Sequence, residues 1–495
     1  SLLGYEYDNL GRKTREKHFS YNGASFDLNR QQDYSYHKDN KEPNTITTYD
    51  AYNNSGTLAV GSAKEKSFVY DKLGRIISTT NELGAITTYE YADNTDYPTQ
   101  KTTSFDNTTI TQHYNYNSIG QLISQTDGNG NTTTHSYNKL GQKTATSNAN
   151  GDTTNYTYDN LGQLIEQTSP LGRSTKYEYN LLDKLSKKTN ANGYVETYRH
   201  DANSNITEHT NSAGFTTHYF YDSLNRKIAQ VDDNQRRQSY EYDSFNNLIS
   251  HTDALGFTTQ YNYDLNNNLT QTRQQLTDRV ITTTQRYDGL GRLLAITDGN
   301  GNTTTFKYQN VFDKPSHVID ANNQTTQYAY NKLSQLNVTT RPDGIKEVQI
   351  HDKLGRLTHI VKDWDNLNTN ASFTQYDYDN ANNLIKQYDR YQTGRHIITE
   401  KTYSPTNQLL TSTIANKTIT LAYDEDGRRT SETDATGNTT NYDYDNLDNI
   451  TSITDAKGNT SNYSYDANNN QTSQTSPSGI SIHQDYDHYN NLIAT

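Results

Sequence analysis

Two short stretches of this 495-residue sequence have the residue types of a reactive centre. Asp127-Gly128-Asn129-Gly130-Asn131 and its echo Asp298-Gly299-Asn300-Gly301-Asn302 alternate oxygen-bearing side chains with glycine, as a calcium loop does. Such a loop needs a bidentate acidic ligand at its twelfth position, and that slot holds Asn138 or Gln309. A tight turn that requires Gly and Asn accounts for both stretches better. The glycines are not a dinucleotide fingerprint either, since neither a third Gly nor a helix signal follows.

The 14 histidines lack the spacing of a helical metal motif. His200 and His351 fall where related positions hold Tyr, and His135 lies two residues before such a position, so they read as substitutes for aromatic residues. Carboxylates are plentiful, but Asp recurs in every turn for a conformational reason, which leaves no acid/base pair to single out. The only Trp, in Asp363-Trp364-Asp365-Asn366-Leu367, stands in the longest insertion. Trp364 is therefore the candidate partner contact, with capping an edge or plugging an opening as the equal alternative. No catalytic residue, cofactor site or metal site is expected.

Composition sets the frame for these readings. Apolar residues make up 30% and the mean hydropathy is −1.05, too little for a conventional dry core, whose chains are typically ~45–50% apolar. Disordered chains are poor in aromatics, yet this one has 42 Tyr. The net charge of −13 is spread along the chain, which disfavours nucleic acid as partner. No apolar run approaches the ~18 residues of a membrane helix. Cys is absent, excluding disulfides and thiolate metal sites. Met is absent too, even at residue 1, so the chain is expected to be a piece of a longer protein whose own flanking segments are its first partners.

The Tyr residues supply the order. Tyr116, Tyr137, Tyr158, Tyr179, His200, Tyr221, Tyr242 and Tyr263 stand 21 residues apart. The interval returns from Tyr287 to Tyr308 and from Tyr423 through Tyr444 and Tyr465 to Tyr486. An acidic or amide residue follows most of them, as in Asp159, Asp222, Asp243, Asp264, Asp288, Asp445 and Asp466. This sets four blocks of one continuous array: irregular repeats at 1–69, regular ones at 70–351, irregular ones with longer loops at 352–403, and regular ones again at 404–495.

Each unit carries two turn signals. Asp159-Asn160-Leu161-Gly162, like Asp288 to Gly291, has Asp first and Gly last, as a type I turn prefers. Ser169-Pro170-Leu171-Gly172 is the second turn. Between them the spacing predicts strands at about 163–168 and 173–179, so each unit is a β-hairpin. On the second strand Thr175, Tyr177 and Tyr179 share one face, and copies of it are expected to form cross-strand Tyr ladders. Some twenty hairpins at ~4.8 Å per strand make a sheet path of roughly 190 Å, which should coil into a spiral or close, with both faces wet. The expected fold class is an all-β, repetitive hairpin array coiled into a hollow shell or barrel.

"YDNLGQLIEQTSPLGRSTKYEYN" (158–180) and "YDGLGRLLAITDGNGNTTTFKY" (287–308) resemble the YD repeat of the Rhs/YD family, and the resemblance covers nearly the whole chain. It implies a β-sheet spiralling into a cocoon-like shell. In bacterial Rhs proteins and toxin-complex B–C subunits such a shell encloses a C-terminal toxin, and teneurins use a related barrel in adhesion. The toxin shells share an Asp-Pro core motif for self-cleavage. None of the seven prolines here follows Asp, so no catalytic residue is carried over. The resemblance implies a non-enzymatic segment of a secreted or surface bacterial shell, enclosing or displaying an attached toxin segment. An extracellular adhesion or glycan-binding array, using Tyr and Trp364 against a surface glycan or protein, is the alternative.

Overall fold

The computed structural model describes residues 2–21, 26–36, 41–49, 64–308, 314–364, 372–392, 395–487 and 489–495. Among these residues there are 45 strands and no helix, and 43 of the strands belong to one sheet. Every register-defined pair is antiparallel, and neighbours in sequence are neighbours in the sheet, as at Thr153–Tyr158, Leu164–Thr168 and Ser174–Tyr179. The predicted strands are thus one residue long at their starts. The hairpin array follows from local chemistry: two four-residue turns per 21 residues leave strands of five and six.

At the first turn the Asp159 carboxylate accepts from the backbone N–H groups of Leu161 and Gln163 at 2.9 and 2.8 Å. Gly162 sits at φ 89°, and the register slips by one residue between Thr157 and Tyr158. This is an Asx turn followed by a bulge that needs a left-handed residue. Gly is not obligatory there: Asn225, Asn246 and Asn469 occupy the same place at φ 61°, 69° and 67°, because a short amide side chain tolerates that region.

The long strand alternates half-buried and exposed positions, while the short strand is half-buried throughout. Only Ala85, Phe105, Ile110, Ala229 and Val348 are buried apolar residues among those described. The sheet therefore owes its cohesion to hydrogen bonding and half-buried rings in place of a dry core.

The Tyr ladders differ from expectation. A short strand separates the long strands of successive repeats, so Tyr177 faces Lys188 and Tyr198 faces His209. Tyr198 and His209 stack with ring centroids 4.7 Å apart, as Tyr240 and His251 do at 4.9 Å.

Some of the extra residues extend strands. The extra residues between Tyr263 and Tyr287 lengthen the strands to Leu269–Gln275 and Val280–Tyr287. In the 352–403 block, Leu384–Gln392 and Arg395–Tyr403 are nine residues each. Trp364 is the last residue of the strand Leu357–Trp364, with Lys346 as its register partner across an irregular step, directly before the 365–371 connection. Asp365 to Leu367 and Gln309 lie outside the described residues.

The chain packs as two compact units. One comprises 1–120, 127–130 and 259–397, the other 121–126, 131–258 and 398–495. Each draws on distant stretches of sequence, so the four sequence blocks do not coincide with them.

Candidate functional site

Tyr residues at the repeat positions act through their hydroxyls. The strand ladder between Leu164–Thr168 and Ser174–Tyr179 stops at Glu166 opposite Lys176, leaving the Leu164 carbonyl without a ladder partner. The Tyr179 hydroxyl donates to it at 2.9 Å. Tyr137, Tyr158, Tyr221, Tyr242 and Tyr444 donate in the same way to Leu122, Lys143, Ile206, Lys227 and Arg429, each 15 residues upstream, at 2.7–3.0 Å. One phenol per repeat thus closes the open end of a hairpin and satisfies a carbonyl. Burial pushes the Tyr179, Tyr221 and Tyr444 hydroxyl pKa values up. Tyr116 instead stacks on Tyr97 at 5.1 Å, and Tyr287 donates to Gln285. Tyr263 and Tyr465 close their turns in register with Leu269 and Gln471.

The residue after each first turn ties that turn to the next. Arg226 donates through Nε to Asp222 at 2.7 Å and through a terminal nitrogen to the Asp243 carbonyl at 2.9 Å, with its guanidinium 5.0 Å from the Tyr242 ring centroid. Arg292 grips Asp288 in the same way and lies over Tyr308. Where Gln or Asn stands in that slot, the amide does the bridging: Gln142 donates to the Gly162 carbonyl and Asn449 to Asn469. Asp243, Asp264, Asp445 and Asp466 all receive two backbone N–H groups. Gly291 takes the left-handed place at φ 78°.

Sequence reasoning missed a second set of contacts, between turns roughly 250–275 residues apart. In the first unit, Asn129 donates to Asp379 at 2.9 Å and accepts from the Asn380 N–H at 3.1 Å. The calcium-like stretch at 127–131 is therefore a docking turn. A Cβ on Gly128 would lie 2.4 Å from the Asn380 carbonyl oxygen, which explains the glycine. Nearby, Asn81 donates to the Lys353 carbonyl at 2.7 Å, Lys353 pairs with Asp106, and Leu354 packs on the cluster of Ala85, Phe105 and Ile110.

In the second unit the same arrangement recurs. Asp426, with its side chain 2% exposed, accepts from the Ser169 hydroxyl at 2.9 Å, the Leu171 N–H at 3.3 Å and Arg173 Nε at 2.5 Å. Arg173 also donates to Asp448 and to the Asn446 carbonyl. Further along, Asn192 reaches Asp445, the Ala213 N–H donates to Asn468, and Arg236 pairs with Asp487. In every case a second-type turn of the earlier stretch meets a Tyr-Asp turn of the later one. Burial works to raise the Asp426 carboxyl pKa, but Ser169, Arg173 and the Leu171 N–H together hold it below the usual range. The sequence signal was Arg directly after a second turn, at 173 and 236, with a carboxylate about 250 residues later.

Within each unit this arrangement joins distant turns of the sheet. Among the described residues no three His, Asp or Glu side chains gather as a metal site. His200 and His351 fill the Tyr position, with Nδ1 of each buried and unpaired. A cleft of about 390 Å³ beside the clamp is lined by Leu171, Arg173, Lys176, Asn190 and Asn446, and its Arg173 is already engaged.

The sequence model of the RHS Repeat family matches residues 70–109, 116–153, 137–174, 158–195, 179–216, 242–274, 287–322, 403–439 and 423–460, together more than half of the chain. Among solved structures, the chain is similar to the Photorhabdus luminescens Tc holotoxin pore carrying a TccC3 variant, at 14% identity over 99% of this chain and 34% of that one, with TM-score 0.58. It is similar also to TcdB2-TccC3-TEV, at 15% identity over 99% of this chain and 30% of that one, with TM-score 0.56. At such identities the likeness is one of fold, and this chain spans about a third of those chains. No curated protein sequence matches.

Proposed function

The chain belongs to the RHS Repeat family, and from that premise we propose that it is a structural wall segment of a secreted or surface bacterial shell that encloses or displays an attached segment, a toxin in the fullest form of the reading. The observation that carries this is the turn-to-turn seam. Within each unit the chain comes back after about a dozen repeats and docks on its own earlier turns, so the sheet is joined along its sides without a dry core. The structures it resembles in fold are, by their titles, a Tc holotoxin pore with a TccC3 variant and TcdB2-TccC3-TEV.

The chemistry suits containment. Strand pairing, Tyr hydroxyls and bridging Arg, Gln and Asn hold repeat to repeat, while half-wet faces give an unfolded cargo no continuous apolar surface to adhere to. The Asp carboxylates are engaged in turns, which supports a non-enzymatic role. The adhesion reading, which used Tyr and Trp364, draws no support from the solved structures that the chain resembles in fold.

The test is protection. An unstructured, protease-sensitive reporter joined to the C-terminus should survive several-fold longer than the free reporter, and the gain should vanish when Arg173→Glu opens the seam. Equal cleavage of fused and free reporter would overturn the reading.

A further inference from the structure

The hairpins on either side of residues 336–351 are closed by phenols: Tyr330 donates to the Pro315 carbonyl at 2.9 Å and Tyr378 to the Leu357 carbonyl at 2.8 Å. Between them, the ladder of Leu336–Thr340 with Lys346–His351 stops at Val338 opposite Val348, as its equivalent stops short of Leu164. His351 holds the place of the closing Tyr, 15 residues after Leu336. An imidazole does not extend as far as a phenol hydroxyl, and Nδ1 of His351 is buried with no hydrogen-bond partner.

The charged groups around His351 are engaged elsewhere or stand away from it. The strand Leu336–Thr340 holds no titratable side chain, and Lys332 in the turn before it is exposed. On the strand of His351, Glu347 is in register with Thr339 and accepts from Gln349 at 3.4 Å, and Lys346 stands at the remote end. In Leu357–Trp364, His359 is in register with Ile350 and so lies on the other face, while Lys362 and Asp363 are toward the end remote from the His351–Leu357 pair. In the turn that follows, Arg356 donates to Asp352 at 2.7 Å and lies over the Tyr378 ring, and Lys353 pairs with Asp106. Burial pushes the His351 pKa below its usual value against the opposing pull of the Asp352 carboxylate.

We propose that the 336–351 hairpin is an acid-sensitive opening point of the sheet, with His351 as the group that takes up a proton when the hairpin opens. Closed, the hairpin keeps a neutral imidazole away from water; opened, it lets the imidazole be hydrated and charged. The stability that depends on the neutral ring is complete above the unfolded value of ~6.5 and is lost as pH falls from there toward the lower folded value. That interval lies above the range in which the Asp turns titrate, so this hairpin opens first while its phenol-closed neighbours hold. The opening reaches the turn contacts of the first unit, because the turn directly after His351 supplies the Lys353 carbonyl to Asn81 and packs Leu354 on Ala85, Phe105 and Ile110.

Hydrogen exchange on the whole chain, corrected for the pH dependence of the intrinsic rates, tests this. From about pH 7.5 to about pH 5.5, protection of 336–340 and 346–351 should fall by up to about tenfold relative to 164–168 and 174–179, strands that contain no His. The far-UV CD signal should stay unchanged over the same interval, since the opening is local. His351→Tyr should abolish the fall and raise protection at both pH values, because it restores a hydroxyl donor. His351→Phe should abolish the fall through loss of the titrating group alone. A protection ratio independent of pH in the parent chain would overturn the proposal, and so would a fall that persists in either variant.

Discussion

The Tyr179 hydroxyl donates to the Leu164 carbonyl across 2.9 Å, joining the last residue of a hairpin to its first. The ladder between those strands ends two residues short of Leu164, so a side chain completes what the backbone leaves open. In Tyr179→Phe the ring remains and the half-buried carbonyl loses its donor, which should cost about 1–2 kcal/mol. Hydrogen exchange should quicken in 164–168 and leave repeats beyond the neighbours unchanged, because repeat arrays couple mainly through nearest neighbours. Uniform acceleration along the whole chain would contradict this local role.

The clamp at Arg173 should behave differently. Removing Arg173 leaves the Asp426 carboxylate buried without its cation, a loss of about 3–5 kcal/mol for buried pairs. Arg173→Ala should expose both 169–173 and 424–428 to exchange although they are some 250 residues apart in sequence. Replacing both partners, Arg173→Met with Asp426→Leu, should cost less than the single Arg173→Ala change, and a double-mutant cycle on denaturation midpoints measures the coupling.

Acid should loosen the array. In Asp222 a backbone N–H from Arg226 is the largest influence, and in Asp243 and Asp264 the amide of Asn247 or Asn268; all three carboxyls are held below their usual pKa. A carboxyl with a depressed folded-state pKa stabilises the fold at every pH above its unfolded value of ~3.9, and that contribution is lost as pH falls through the lower folded value. The far-UV CD signal of the strands should therefore hold from neutral pH to about 4 and collapse below it.

The alkaline limit has the opposite sign. Burial raises the hydroxyls of Tyr179, Tyr221 and Tyr444, and Tyr489, half-buried and bonded to Asp232, is pushed up to about 12. A raised folded-state value stabilises the fold below the unfolded value of ~10 and is lost as pH rises through the folded one. The part of the phenolate absorbance due to these four residues should appear late and together with loss of strand signal. Ionisation of all Tyr near their ordinary value, with CD unchanged, would refute the hydroxyl closures.

Two glycines of one turn should separate two causes. Gly128→Ala places a Cβ against the Asn380 backbone and Ile110 and should open the contact to the 379–382 turn. Gly130 has open space but φ 89°. There Asn should be tolerated better than Ala, since Asn adopts that region at equivalent turns. Comparing thermal midpoints of the three variants checks the order.

By itself, the sequence determined whatever is decided within a few residues. Asp159 reaches its own turn's N–H groups, Gly162 supplies the left-handed step, and the 21-residue period turns those local choices into hairpins, strands and one sheet. It also placed the Tyr positions, though not the direction in which their hydroxyls point. Tertiary structure alone decided which identical-looking turns meet. Asp159 and Asp424 open equally typical Tyr-Asp turns, yet Leu161 at the third place of one is exposed while Asp426 at the third place of the other is clamped by Arg173. That outcome depends on the accumulated twist of about a dozen intervening repeats, a sum of small rotations that no single repeat records.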